Sequence, residues 1–231
     1  MKILLGQEGV SPDKPDNTGR TPLSYATENG DEEVVKTLLE YKEVNPNESD
    51  NHNRTPLSYA AGARNWGCAE RYAGIVKILL GCEEVKPDKP DIEGRTPLSY
   101  AAGEGWNWTV AKMLLGREEV NPDKPDNEGR TPLSYAASSR FGHVVEVLLK
   151  WEEVDPDKPD NEGRTPLSYA AANGHGEVVE MLLEWEEVNP NKPDNEGRGP
   201  LSYATRNGHE VCARILFWQT VLNPDSPVND L

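Results

Sequence analysis

The chain has 231 residues, 24 Lys plus Arg against 40 Asp plus Glu, a formal net charge of −16 and a pI near 4.7. That balance excludes a nucleic-acid footprint, which needs a basic patch against phosphate, and no apolar run approaches the roughly 18 to 20 residues of a membrane span. Cys68, Cys82 and Cys212 make an odd count with no close pair. A disulfide scaffold is therefore excluded, and a reducing, cytoplasmic setting is expected.

The chain opens on MKILLGQEGVSPD, whose apolar run is too short for the core of a secretory signal. Its Lys2-Ile3-Leu4-Leu5 matches the KILL of residues 77–80, so the chain is expected to begin inside the last helix of an earlier unit. The N-x-S/T sequons beginning at Asn47, Asn53 and Asn107 are then read as chance. From there the hexamer TPLSYA begins at Thr21, Thr55, Thr96, Thr131 and Thr165, with GPLSYA at Gly199, at intervals of 34, 41, 35, 34 and 34 residues. After each hexamer come small residues and Gly, then an apolar run such as VVKTLL or VVEMLL, then EEVNPDKPDNEGR or a relative.

Each unit predicts helix, turn, helix and extended loop. Thr is an N-cap and Pro stands at the first helical position, where its missing N–H costs nothing. Leu and the alanines put a narrow small-residue seam on one face of the first helix. Ala172-Asn173-Gly174-His175 ends a first helix, and Val178, Val179, Met181, Leu182 and Leu183 give the second its apolar stripe. Pro190, Pro193 and the Asp-Asn-Glu-Gly tetrad then impose an extended segment and a tight turn. Neither helix buries its stripe alone, so units must stack on neighbours.

These residues resemble the ankyrin repeat, with its TPLH helix start, G-H turn and V-V-x-L-L-L second helix, over roughly residues 1 to 222. The TPLSYAA form is similar to ankyrin arrays of filamentous ascomycete fungi. The resemblance implies an all-α ankyrin-repeat α-solenoid of helix-turn-helix units joined by extended β-turn finger loops. A single solenoid over 1–231 is expected: a partial repeat at 1–17, then repeats at 18–51, 52–92, 93–127, 128–161, 162–195 and 196–231. Two departures stand out. The His of TPLH is Ser at Ser24, Ser58, Ser99, Ser134, Ser168 and Ser202, which loses the imidazole's bonds or replaces them by a shorter hydroxyl bond. The Gly that usually closes the second helix gives way to Glu-Glu, as at Glu186-Glu187, which predicts a finger loop of altered shape.

No motif carries chemistry. His52, His143, His175 and His209 do not converge at ligand spacing, three of them falling at the turn before a second helix, where a structural role is expected. Neither a Cys–His pair, a GxSxG, a P-loop nor a calcium-loop spacing is present. No catalysis, cofactor or metal is expected.

Binding features are more informative. The six inter-helix linkers carry −13 of the −16 charge, deepest around Asp155 to Asp160, an acidic comb suited either to a basic partner or to solubility alone. Tyr25, Tyr59, Tyr100, Tyr135, Tyr169 and Tyr203 recur at the x of TPLHxA, which in ankyrin repeats faces the concave groove. The ladder reads equally as partner contacts or as rings packed on their neighbours. Seven extra residues in the second unit, within 62–74, fit a helix extension of about two turns or a protruding loop. Trp66, Trp106, Trp108, Arg140 and Phe141 fall in the inter-helix regions of three successive units, an aromatic patch for a partner or a private cap for the insertion. Trp151 and Trp185 read as inter-repeat packing.

The ends supply the alternative. Ile3, Leu4 and Leu5 at one end and Ile215, Leu216, Phe217 and Trp218 at the other mark either a piece of a longer array or open ends that find partners. Head-to-tail stacking of such ends is heterologous and propagates as a filament. The reading is thus a non-catalytic protein–protein interaction scaffold, with homo-oligomeric self-assembly as the runner-up.

Overall fold

The computed structural model describes residues 11–63, 69–104, 108–140 and 142–222. Among these, regular structure is entirely helical. The chain groups into two compact units, Met1–Asn121 and Pro122–Leu231.

The first unit holds α1 (Pro22–Asn29), α2 (Glu32–Leu39), α3 (Pro56–Ala61), α4 (Ala69–Leu80), α5 (Pro97–Glu104) and α6 (Trp108–Leu115). The second holds α7 (Pro132–Ser138), α8 (Gly142–Leu148), α9 (Pro166–Asn173), α10 (Gly176–Leu183), α11 (Pro200–Arg206) and α12 (Glu210–Leu222). In each unit the first helices of successive repeats pack on one another, α1 on α3 on α5 and α7 on α9 on α11, and the second helices form a parallel outer layer. This is the ankyrin-repeat α-solenoid that the sequence predicts.

The first helices start as their sequence dictates. Thr21 Oγ1 accepts the Ser24 amide at 3.2 Å, with Pro22 next in line, and Thr55, Thr131 and Thr165 repeat the cap. The serine that replaces histidine answers the cap. Thr21 Oγ1 and Ser24 Oγ lie 3.2 Å apart, and both residues are buried, so the short hydroxyl bond takes the place of the imidazole bridge. At the far end Gly174 turns left-handed (φ 75°) and its amide reaches Ala170 and Ala171, a conformation that costs a side-chain-bearing residue more. Gly199 supplies no such side-chain cap to α11.

Between the helices sits a repeating pair of leucines: Leu23 with Leu38, Leu57 with Leu79, Leu98 with Leu114, Leu133 with Leu148 and Leu167 with Leu182, all fully buried or nearly so. Burying each is worth about 1.5–3 kcal/mol, and the buried alanines Ala101, Ala102, Ala136, Ala137, Ala170 and Ala171 let the first helices approach closely. The second helices end right-handed, Glu40 at φ −70° and Glu184 at φ −71°, and run into a further turn closed by Trp185 N–H on the Leu182 carbonyl. The finger loop accordingly starts without the usual left-handed stop.

Of the two readings of the insertion, helix extension accounts for its described part. α4 spans 12 residues against 8 in α2 and α10, adding a turn at its N-terminus. Residues 64–68 lie outside the described residues.

Candidate functional site

The finger loops are organised by one carboxylate each. In the finger of 160–164, Asp160 Oδ1 accepts the backbone amides of Glu162 and Arg164, both at 2.9 Å. Its Oδ2 accepts Arg164 Nε at 2.8 Å and the Tyr169 hydroxyl at 2.6 Å. The loop closes by Asp160 N–H on the Arg164 carbonyl and Gly163 N–H on the Asp160 carbonyl. Asp50, Asp91, Asp126 and Asp194 form the same clamp with Tyr59, Tyr100, Tyr135 and Tyr203. The guanidinium of each loop lies over the ring it shares the carboxylate with, 4.8 to 5.2 Å from the centroid at Arg54, Arg95, Arg130, Arg164 and Arg198.

Electrostatics follows from this geometry. Burial alone pushes the Asp160 carboxyl up, but the Tyr169 hydroxyl and Arg164 hold it below the ordinary carboxylate value, and Asp50 behaves likewise with Tyr59 and Arg54. The same burial and hydrogen bonding drive the Tyr59, Tyr100 and Tyr169 hydroxyls well above theirs, so these phenols stay protonated donors. The spacing D-x-x-G-R-x4-Y was the available sequence signal for the clamp.

Neighbouring fingers are stitched inside each unit. Asn51 N–H reaches the Thr18 carbonyl, Asn161 N–H that of Glu128 and Asn195 N–H that of Glu162, each at 2.9 Å. Approach is so close that a Cβ on Gly129 would lie 2.7 Å from the Asn161 backbone nitrogen, and Gly129 is left-handed besides (φ 82°). Lysines add a second stitch: Lys158 Nζ bonds Asp123 Oδ2 at 2.6 Å, and Lys192 Nζ bonds Asp157 Oδ2 at 3.0 Å.

The histidines at 175 and 209 tie first helices to the following repeat. The Ser138 carbonyl accepts from His175 Nε2, and the Ala172 carbonyl from His209 Nε2, both at 3.0 Å. His143, which sits two residues later in its repeat, is exposed inside α8. In the first unit the insertion supplies the equivalent donor, buried Tyr72, whose hydroxyl donates to the Glu28 carbonyl at 2.9 Å.

The tyrosine ladder therefore lies inside the finger–helix junctions, with hydroxyls engaged. Tyr25 is 40% exposed, Tyr59 is buried, and Tyr100, Tyr135, Tyr169 and Tyr203 are half-buried. Between Tyr59 and Tyr100 an open cleft of about 380 Å³ is lined by Glu28, Arg54, Ser58, Gly62, Ala63 and Glu104 as well as the two rings. The acidic comb is partly internal, because its finger aspartates are paired with arginines. Its outward charge comes from glutamates such as Glu93, Glu128, Glu162 and Glu196, which also reach their loop's arginine.

Trp108 and Arg140 are exposed, while Trp66, Trp106 and Phe141 lie outside the described residues. Trp151 and Trp185 remain partly exposed, and Trp185 lines a shallow groove with Met181 of α10 and Leu149, just beyond the end of α8. Ile3, Leu4 and Leu5 also lie outside the described residues. In α12, Leu216 is fully buried and faces its own repeat's core, which removes it from any end surface. Ile215 is half-buried, whereas Phe217 and Trp218 are more than half exposed, as is Val211 two turns earlier on α12, which carried no distinguishing signal in the sequence.

Among the described residues no group of three His, Cys, Asp or Glu side chains is placed to hold a metal ion, and no helix is long and apolar enough to cross a membrane. A search of the curated proteins finds no match. The family model described as ankyrin repeats matches in three copies, over residues 1–71, 66–160 and 141–226. With that coverage and the stacked helix pairs, the chain belongs to the ankyrin-repeat family.

Proposed function

We propose that the protein is a non-catalytic scaffold that presents the groove beside its first helices to a basic protein partner. Ankyrin repeats are generally protein–protein interaction modules. The observation that carries the finer reading is the clamp itself. Each finger loop is fixed to its helix by a carboxylate that holds two backbone amides and a phenol, joined by a guanidinium in every finger but the first. Such a surface is ordered before contact, so binding loses little backbone entropy. The surplus of exposed glutamates favours a cationic partner and sets an attraction that salt screens. A peptide library selected on the immobilised chain is expected to yield Lys- and Arg-rich ligands whose binding weakens between low and high salt. Recovery of peptides without basic enrichment, bound equally in high salt, overturns the basic-partner reading.

A second reading, self-assembly through chain ends, is favoured by one observation: Val211, Phe217 and Trp218 are all more than half exposed on α12. Light scattering over a concentration series is expected to show mass growth that Phe217→Lys abolishes. Constant mass near 25.6 kDa at every concentration removes that reading.

A further inference from the structure

The second helices end in an octad that varies little in pattern along the chain, yet it changes character at two places. It reads EVLLKWEE at 146–153 and EMLLEWEE at 180–187, against KTLLEYKE at 36–43, KILLGCEE at 77–84 and KMLLGREE at 112–119. The three octads of the first unit carry formal charges of 0, −1 and 0, whereas the two at 146–153 and 180–187 carry −2 and −4. Trp151 and Trp185 stand where the first unit has Tyr41, Cys82 and Arg117. The last octad, RILFWQTV at 214–221, has no acidic residue. Acid and indole are thus gathered on α8 and α10 alone.

These two helices pack side by side in the outer layer. Around their last turns lies the groove lined by Glu146, Leu149, Lys150, Met181, Glu184 and Trp185, of about 170 Å³. Met181 reaches across to α8, where a Cβ on Gly142 would come within 3.0 Å of its Cε. Trp185 is 38% exposed, as is Trp151 one repeat earlier. An open indole beside a soft, adaptable thioether is the kind of surface that anchors a partner's apolar side chain. Around it the charge has one sign. All seven glutamates of the two octads are exposed, and the single cation, Lys150, is held by Glu146 at 2.8 Å.

We infer that this groove docks a basic amphipathic helix of a protein partner, with apolar side chains on Trp151, Met181 and Trp185 and lysines or arginines facing the glutamates. Charge complementarity selects the cationic flanks, since seven glutamates against one lysine leave a formal −6. The spacing suits a helix lying across the two rungs. Packed helices stand about 8–10 Å apart, and anchors at i and i+7 of a helix span about 10 Å. The site belongs to the layer of second helices, so it stands or falls independently of the groove beside the first helices.

The test is a titration of the full chain with an amidated leucine–lysine amphipathic helix, followed at the indole N–H signals of Trp151 and Trp185. Saturable shifts of both are expected, weakening with salt. An alanine–lysine helix of equal charge should bind about tenfold more weakly. The charge-neutral Trp185→Gln is expected to cost about tenfold in affinity for the leucine–lysine helix. Equal binding of the two helices, or unchanged affinity in Trp185→Gln, reduces the attraction to diffuse charge and overturns the site. Should Trp185→Gln fail to fold, a transplant decides: Glu180→Lys, Glu184→Gly and Trp185→Arg convert residues 180–185 into the KMLLGR that the chain itself folds at 112–117. That variant is expected to lose the shift at Trp151, and full retention of it refutes the docking. Indole shifts that grow with protein concentration before any peptide is added would put a second copy in the groove and overturn the foreign helix.

Discussion

In residues 122–231 the clamps are near copies: Asp126, Asp160 and Asp194 each hold their own arginine and tyrosine, histidine bridges the repeats at 175 and 209, and lysine staples the loops at 158 and 192. In residues 1–121 Asp50 and Asp91 keep that clamp, while several of the other jobs pass to different residues. Arg20 leaves Asp16 for Glu28, Tyr72 replaces histidine as donor to a helix-end carbonyl, Asn53 takes the left-handed place of glycine (φ 60°), and Glu48 stands where other loops have lysine. What survives the exchange is the bond and not the residue type. The carbonyl seven residues after the capping threonine is satisfied in both units, by an imidazole or by a phenol. The carboxylate of the finger accepts a tyrosine hydroxyl in every described repeat.

The comparison is broken most forcefully at the clamp. Asp160→Ala removes a buried carboxylate that a guanidinium, a phenol and two amides share, and is expected to cost about 3 kcal/mol. Asp16→Ala, at a more exposed carboxylate whose arginine is already committed to Glu28, is expected to cost clearly less. Urea unfolding at pH 7 measures both, and equal losses would show that the first clamp is no weaker. The Asp160 carboxyl is held below its ordinary value. Its contribution is therefore complete above the unfolded pKa of about 3.9 and is lost as pH falls through the lower folded value.

Tyr72→Phe sharpens the equivalence of phenol and imidazole. It deletes the donor to the Glu28 carbonyl and is expected to cost about 1 kcal/mol, as should removal of the His175 ring bond. A thermal melt unchanged by Tyr72→Phe would mean that the insertion packs without needing the bridge.

The smallest expected effect has the opposite sign. Burial pushes the Asp13 carboxyl up, only partly offset by the Asn45 amide, and Glu48 adds repulsion where other repeats bring lysine. At the equivalent place Asn47 instead donates its amide to the Glu84 carbonyl at 2.6 Å. Asp13→Asn is therefore expected to stabilise by about 0.5–1 kcal/mol at pH 7. Because the folded pKa is raised, the parent regains this stability as the carboxyl protonates. The gain should shrink as pH falls and vanish below the unfolded pKa of about 3.9. A gain independent of pH would refute the charge argument.

Much of this was legible in the chain. The period and the TPLSYA and VVxxLL patterns dictated the helix pairs, because threonine caps, proline starts and a leucine at each core position are local instructions. The serine for histidine exchange was readable as a hydroxyl bond because its partner lies only three residues away. The tyrosine ladder was visible as a pattern but not as a clamp. Its bonding partner stands nine residues upstream across a turn, and only the folded loop brings that carboxylate to the phenol. The insertion hid Tyr72 for a related reason: its seven added residues break the alignment that would have set it beside the histidines, and the equivalence appears only once α4 is in place.

The sequence by itself determined the repeat, its all-helical character and its lack of catalytic motifs, since capping, periodicity and composition act over short stretches. Tertiary structure alone decided which carboxylates are buried, which arginine leaves its own loop, and that a cleft opens beside Tyr59 and Tyr100. Those outcomes depend on how neighbouring repeats approach, and a one-dimensional period carries no record of the distance between them.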